Sequence, residues 1–237
     1  MKKAAEAGVS NNMIRVFVVD DHPIIRQGLA QLLEHEPDMV YCGEAEDAPE
    51  ALKAIEAAKP HIVLVDISLK TSNGIELIKD LRIRCPEVAI LVLSMHDESF
   101  YAERVLRAGA RGYVMKEEAT EKVVHAIHRV LAGEVYLSNK MAANMLSKLV
   151  DGNRQTPTSQ YSIESLSDRE LEVFELIGRG LGTRQIAGKL HLSVKTIESH
   201  RANLKEKLRA KNSTELLRHA INWVQSEKPA LAPAESG

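Results

Sequence analysis

Four short apolar runs in the first half of the chain each stop at a polar residue. Val16-Phe17-Val18-Val19 runs into Asp20-Asp21, and Ile62-Val63-Leu64-Val65 into Asp66. Ala89-Ile90-Leu91-Val92-Leu93 ends at Ser94, and Tyr113-Val114-Met115 at Lys116. Short continuous apolar runs separated by helical patterns predict buried strands of a parallel sheet. A fifth, weaker run covers about Met39–Glu44. Between the runs, helices are predicted over Pro23–His35, Ala48–Lys59, Gly74–Arg84, Phe100–Arg107 and Ala119–Leu131. The first carries its buried stripe as Ile25, Leu29, Leu32 and Leu33, at helical spacing. Pro23 suits the first turn of that helix, where a missing N–H costs nothing.

From Ile14 to about Gly133 strand and helix alternate; beyond that the pattern is purely helical. Ser138–Val150 predicts one further helix. Asp151 to Gln160 has no apolar residue and reads as an exposed linker. Ser167-Asp168-Arg169-Glu170 is a capping box, opening a helix to about Gly178 that Gly180 and Gly182 end. A short helix over Thr183–Lys189, the turn Leu190-His191-Leu192, and a longer helix capped by Ser193 and running to Leu208 come next. In that longer helix Val194, Ile197, Leu204 and Leu208 share one face, the expected core face. A last helix is expected over Ser213–Gln225, with Leu216, Leu217, Ala220, Ile221 and Val224 available for core or for a dimer contact.

A chain of 237 residues, 44% hydrophobic and 27% charged, suits two globular domains. No apolar stretch approaches the roughly 20 residues that span a bilayer. Met1–Asn12 lacks the apolar block of a secretory signal and reads as a disordered leader. Cys42 and Cys85 form no spacing pattern, as in a reducing cytoplasm. The net charge of −2 argues against a nucleic-acid binder, but it hides an asymmetry. Residues 161–225 hold 11 Lys+Arg against 8 Asp+Glu, and Ser193–Lys211 holds 6 against 2. A mildly basic C-terminal segment is compatible with phosphate-backbone contact.

The strand ends carry the chemistry. In an open parallel sheet, ligands bind outside the carboxyl ends of the strands. Asp20, Asp21, Asp66, Ser94 and Lys116 are therefore expected on one rim, the inventory for a divalent cation plus a phosphoryl group. Hard carboxylate oxygens suit Mg²⁺, whose shell is partly filled by water. A strand-end carboxylate such as Asp66 can attack phosphorus, while an ammonium and a hydroxyl hold phosphoryl oxygens. Each residue alone is an ordinary loop or turn residue; four strand ends carrying the required groups together are not.

Residues 14–133 resemble the receiver domain of two-component response regulators. The matching stretches are Val-Val-Asp-Asp-His-Pro (18–23), Val-Leu-Val-Asp-Ile-Ser-Leu (63–69), Asn-Gly-Ile-Glu-Leu (73–77), Leu-Ser-Met-His (93–96) and Gly-Tyr-Val-Met-Lys (112–116). The resemblance implies that Asp66 accepts a phosphoryl group from a sensor histidine kinase. Asp21, Asp66 and the Ser68 carbonyl would bind Mg²⁺, with Asp20 assisting through water. Lys116 and Ser94 would hold phosphoryl oxygens. Tyr113 matches the family's switch aromatic, a place that also fits a half-buried strand residue. Relatives usually carry proline four residues after the acceptor; here it is Lys70, which leaves that loop looser.

Residues 166–216 resemble the helix-turn-helix domain of the LuxR/FixJ/NarL class. Leu-Ser-Asp-Arg-Glu-Leu-Glu-Val-Phe (166–174), Ile-Ala-Gly-Lys-Leu (186–190), Leu-Ser-Val-Lys-Thr-Ile-Glu-Ser-His (192–200) and Lys-Glu-Lys-Leu (205–208) carry it. By that resemblance Glu198, Ser199 and Ala202 face base edges in the major groove. Lys195, Thr196, His200, Arg201 and Lys205 suit phosphates, which position the helix without reading sequence. Glu198 faces a polyanion, and its productive partner would be cytosine N4.

The expected architecture is α/β: a doubly wound five-stranded parallel sheet of order 2-1-3-4-5, followed by a small all-α helix-turn-helix domain. Boundaries are expected at 13–135 for the receiver, 136–162 for a helical linker and loop, 163–225 for the DNA-binding domain and 226–237 for a disordered tail. The expected function is a cytoplasmic, phosphorylation-controlled transcription regulator that binds promoter DNA, as a homodimer once phosphorylated. Two rivals are a haloacid-dehalogenase-type phosphatase and a receiver used for protein interaction without DNA. The first needs a second Asp two residues after the nucleophile, where this chain has Ser68.

Overall fold

The structure, a computed structural model, describes residues 13–69, 72–150 and 163–227. The leader, Lys70 and Thr71, the expected linker loop Asp151–Gln160 and residues 228–237 lie outside the described residues. The chain divides into two compact units, with the break after Asn139.

In the first unit, β1 (Ile14–Val19), β2 (Met39–Ala45), β3 (Ile62–Val65), β4 (Ala89–Ser94) and β5 (Gly112–Met115) form one sheet in the order β2-β1-β3-β4-β5. All neighbours are parallel. The helices between them are α1 (Pro23–Glu34), α2 (Ala48–Ala58), α3 (Gly74–Arg84), α4 (Glu98–Ala108) and α5 (Ala119–Leu131). Apolar runs without alternation become strands here because both faces of the sheet are covered. Val16, Val18, Leu64, Leu91, Leu93 and Val114 pack with Leu29 and Leu33 of α1 and Val123, Ala126 and Ile127 of α5 in one buried cluster. The α2, α3 and α4 helices each start at a side-chain cap: Asp47, Asn73 and Asp97 accept backbone N–H groups of Glu50, Ile75 and Ser99.

Register sets the rim. Val19 pairs with Val65, Val65 with Val92, and Ser94 with Met115. The residues that follow β1, β3 and β5 therefore emerge at one end of the sheet, level with the end of β4.

After α5 the chain returns along β5. Gly112 and Tyr136 form a parallel bridge, Tyr113 N–H donates to Tyr136 O at 2.9 Å, and Tyr136 N–H donates to Arg111 O at 2.9 Å. Gly112 permits the approach: a Cβ there would meet the Tyr136 carbonyl at 2.9 Å. The helical patterning of the sequence did not reveal this return.

Beyond α6 (Asn139–Val150), the second unit contains α7 (Asp168–Gly178), α8 (Thr183–Lys189), α9 (Val194–Lys207) and α10 (Ser213–Glu227). The capping box forms as expected: Ser167 accepts from Glu170 N–H, and Glu170 Oε2 accepts from Ser167 N–H at 2.8 Å. Leu171, Phe174 and Ile177 of α7, Ile186 of α8, Ile197 and Leu204 of α9, and Leu216 and Ala220 of α10 are all buried. Trp223 packs beside Phe174, ring centroids 5.5 Å apart.

Four expectations need correction. Val194 is 41% exposed rather than core. It is the first residue of α9, and a helical side chain covers the turn N-terminal to its own Cα, here the open end of the helix. The α4 helix starts two residues early, at Glu98, because Asp97 caps it. The β2 strand runs one residue further, to Ala45, and α10 extends to Glu227, into the segment expected to be tail.

Candidate functional site

The rim is built from tightly buried ionic groups. Asp20, Asp66, Lys116 and Ser94 are buried, the last completely. Lys116 Nζ lies 2.6 Å from Asp20 Oδ2 and donates to Asp66 Oδ2 at 2.7 Å. One ammonium thus bridges the ends of β1 and β3. Asp66 Oδ1 accepts from Ser68 N–H at 3.3 Å. Behind the loop, Gly74 lies so close that a Cβ would sit 2.0 Å from the Asp66 carbonyl oxygen, so α3 can begin there only with glycine.

These contacts decide the charge states. Burial pushes the Asp66 carboxyl up to about 6, against a pull from Lys116 and with help from the Asp20 charge. Burial would lower the Lys116 ammonium, but Asp66 and Asp20 outweigh it and hold it above its ordinary value. Among the described residues, one lysine ammonium, that of Lys116, serves two buried acids, with a third acid, Asp21, beside them. Asp21 Oδ1 is buried, and the ring of His22, itself mostly exposed, brings its Nδ1 to 2.7 Å from it. Three carboxylates converging on one acid-rich cup are the hard oxygen donors that fit a divalent cation. One ligand atom from each of Asp20, Asp21, His22 and Asp66 can be chosen so that all four lie within 4.8 Å of one another.

Of the expected site residues, the structure brings Asp20, Asp21, Asp66 and Lys116 into direct association. Ser94 sits at the same rim, its Oγ accepting from His96 N–H at 3.2 Å. Tyr113 is fully buried rather than half-buried, and its hydroxyl donates to the His96 carbonyl at 2.8 Å. Ser68 Oγ pairs with His96 Nε2 at 2.7 Å. Two residues went unused in the sequence reading, His22 and His96. Both lie inside the matched stretches, directly after the acid pair and two residues after Ser94.

In the second unit, α9 presents its outer face as expected. Lys195, Glu198, Ser199 and Ala202 are exposed; Thr196, His200, Arg201 and Lys205 flank them, partly buried. Ser193 caps the helix, accepting from Thr196 N–H at 3.0 Å, and shares a 2.7 Å hydrogen bond with the Thr196 hydroxyl. The Ser199 hydroxyl donates to the Lys195 carbonyl at 3.1 Å, leaving its oxygen free to accept from a base. Burial and then the nearby Arg169 hold the His200 imidazole below its ordinary value, so at neutral pH it is an uncharged donor. Two struts orient α9 against α7. Arg169 pairs with Glu172 at 2.6 Å and donates to the Leu190 carbonyl in the turn at 3.2 Å. Lys207 Nζ donates to Glu170 Oε2 at 2.6 Å.

A five-stranded parallel sheet with an acid-and-lysine rim, joined in one chain to a helix-turn-helix unit, defines a phospho-switch coupled to a DNA-binding output. Residues 16–128 match the family described as "Response regulator receiver domain", and residues 164–220 match "Bacterial regulatory proteins, luxR family". The oxygen regulatory protein NreC of Staphylococcus aureus is 34% identical over 210 residues, 88% of this chain and 97% of that one. RcsB of Salmonella typhimurium is 28% identical, with a TM-score of 0.61 over 92% of this chain and 100% of that one. RcsB has also been solved bound to the rprA promoter in the presence of the phosphomimetic BeF₃⁻; that structure has a TM-score of 0.57 over 89% of this chain and 99% of the other, at 28% identity. The chain belongs to the two-component response regulators of the NarL/FixJ type, with a LuxR-type helix-turn-helix. It is a phosphorylation-dependent transcription regulator, and neither a classical enzyme nor a receiver without DNA output.

Proposed function

We propose that Asp66 is the phospho-acceptor of this regulator. The observation that carries the reading is the Asp66 carboxylate at the end of β3, buried, with the Lys116 ammonium 2.7 Å from its Oδ2. An Asp66 oxygen forms the new O–P bond as the N–P bond to the kinase histidine breaks, and the histidine leaves with the bonding electron pair. Lys116 and Ser94 hold the phosphoryl oxygens, exchanging Lys116's present carboxylate contacts for the added charge. Asp20, Asp21, Asp66 and the Ser68 carbonyl are the residues that would hold Mg²⁺, which neutralises phosphoryl charge when bound. Tyr113, tied to His96 beside Ser94, is placed to respond to that rearrangement.

The output reading follows the same residues as the sequence analysis. Glu198, Ser199 and Ala202 face base edges, and Lys195, Thr196, His200, Arg201 and Lys205 face phosphates. The receiver spans 13–135, the linker 136–162 and the DNA-binding domain 163–225. The active form is a homodimer on a two-half-site promoter, in the cytoplasm, with a sensor histidine kinase as donor. No helix among the described residues is long and apolar enough to cross a membrane.

The test uses a small phosphoramidate donor with Mg²⁺ and random-sequence duplex selection. Wild type is expected to gain a hydroxylamine-sensitive phosphoryl group and to enrich a two-half-site sequence more strongly afterwards. Asp66→Asn is expected to do neither. A phosphoryl group still found on the Asn variant would remove Asp66 from its role.

A further inference from the structure

Two neighbouring residues after α5 are anchored to different parts of the receiver unit. Tyr136 is bonded through its backbone to Arg111 and Tyr113, so it belongs to the sheet. Two positions on, the Ser138 N–H donates to Glu98 Oε1 at 2.9 Å. Glu98 is the first residue of α4, and Ser138 directly precedes α6. In a capping box, the acid that accepts the amide N–H at a helix start comes from the helix's own first turn. The first turn of α6, Asn139-Lys140-Met141, holds no acid. Here α4 supplies the carboxylate from 40 positions away. A hydrogen bond to a carboxylate is roughly twice as strong as one between neutral groups.

Glu98 stands four residues beyond Ser94, and the chain between them is tied to the rim. The His96 N–H donates to Ser94 Oγ at 3.2 Å, and the Tyr113 hydroxyl donates to the His96 carbonyl at 2.8 Å. Asp97 then caps α4, accepting from Ser99 N–H at 3.0 Å. A shift of Ser94 toward Asp66 therefore carries the start of α4 with it. The sheet pairing of Tyr136 does not follow that shift. Ser138 is held in place while Glu98 moves, and a hydrogen bond of 2.9 Å is lost within about 0.7 Å of displacement.

We propose that Glu98 is a phosphorylation-sensitive latch on the linker: in the unphosphorylated receiver it holds the Ser138 amide at the start of α6, and phosphorylation of Asp66 withdraws it. The inference rests on the reading of Asp66 as phospho-acceptor with Ser94 as a phosphoryl ligand. The signal then leaves the receiver through the chain's own backbone, at the residue from which the linker helix departs.

Solvent exchange of the Ser138 amide tests this, followed by NMR on the full chain with and without beryllofluoride and Mg²⁺, a mimic of the phosphoryl group. In wild type the mimic is expected to speed that exchange about tenfold. In Glu98→Ala the amide is expected to exchange fast in both states; Asp97 still caps α4, so the variant keeps its fold. Glu98→Gln retains an oxygen acceptor and is expected to restore part of the difference. The gain in duplex affinity that phosphorylation brings is expected to shrink severalfold in Glu98→Ala. A Ser138 amide that exchanges equally in both states of wild type overturns the proposal. So does exchange in Glu98→Ala that still responds to the mimic, or a duplex gain equal to wild type. The Ser94 amide separates the two levels: if its resonance stays unmoved by the mimic, the phospho-acceptor reading fails and the latch falls with it; if it moves while Ser138 does not, only the latch fails.

Discussion

In the receiver unit two buried carboxylates, Asp20 and Asp66, share the single ammonium of Lys116. In the helix-turn-helix unit three buried glutamates each have a cation of their own: Glu170 with Lys207, Glu172 with Arg169, and Glu175 with Arg179. The consequences run in opposite directions. Burial and the Asp20 charge leave the Asp66 carboxyl raised to about 6. Burial would raise Glu170 too, but hydrogen bonds from Lys207 and Ser167 outweigh it and hold the carboxyl below its ordinary value. One-to-one pairing makes a charge part of the scaffold. A shortage of cations leaves a charge unsatisfied and ready for a metal ion or a phosphoryl group.

The largest effect should come from breaking a matched pair. Arg169→Met takes the paired guanidinium from the buried Glu172 carboxylate and a donor from the Leu190 carbonyl, costing about 3 kcal/mol. Trp223 is the only tryptophan and lies in the second unit, so urea unfolding followed by its fluorescence reports that unit alone. A midpoint equal to wild type would mean that the glutamates of α7 are not true ion pairs.

Removing a charge from the mismatched site should do the reverse. In EDTA at pH 7.5, Asp66→Asn is expected to stabilise the receiver by about 2 kcal/mol, read as a higher calorimetric transition. The Asp66 carboxyl is raised from 3.8 to about 6 on folding, so the folded receiver holds that proton more tightly than the unfolded chain. The cost of ionising it is therefore absent below about pH 4 and grows as pH rises through 6. The advantage of the variant should shrink toward pH 5. A constant difference between pH 5 and 7.5 would locate the effect in packing rather than charge.

The smallest effect sharpens the contrast. Glu170, held below its ordinary 4.5, contributes stability that is present above that value and lost as pH falls through the lowered one. The Trp223-reported midpoint of wild type should stay level from pH 7 to 5 and decline below. Glu170→Gln should lose about 1 kcal/mol at pH 7 and decline less in acid. The two units would then show opposite responses to acid at these two carboxyls.

Much of this was legible in the sequence, for a physical reason. Each buried strand needs an unbroken apolar run, so Asp20, Asp66, Ser94 and Lys116 stand out as the residues that end one. Caps such as Ser167 are legible because a local hydrogen bond defines them. Long-range pairings were not. His96 meets Ser68 across 28 positions, and nothing in the local pattern around either residue announces it. Val194 satisfied the helical wheel of α9 but is its first residue and stays exposed, while Ile197 and Leu204 further along are buried. His22 was visible in its motif but needed coordinates to show its ring folded back on both acids.

The return of the chain along β5 has a further consequence. An outermost strand with free amides and carbonyls is a template on which another polypeptide can polymerise. Here Tyr136 already occupies the Tyr113 amide and the Arg111 carbonyl. The protein thus supplies its own blocking segment, and at that border a foreign strand finds those positions taken. Receivers that meet there would have to recognise one another through side chains, which mutation can tune, rather than through backbone, which it cannot.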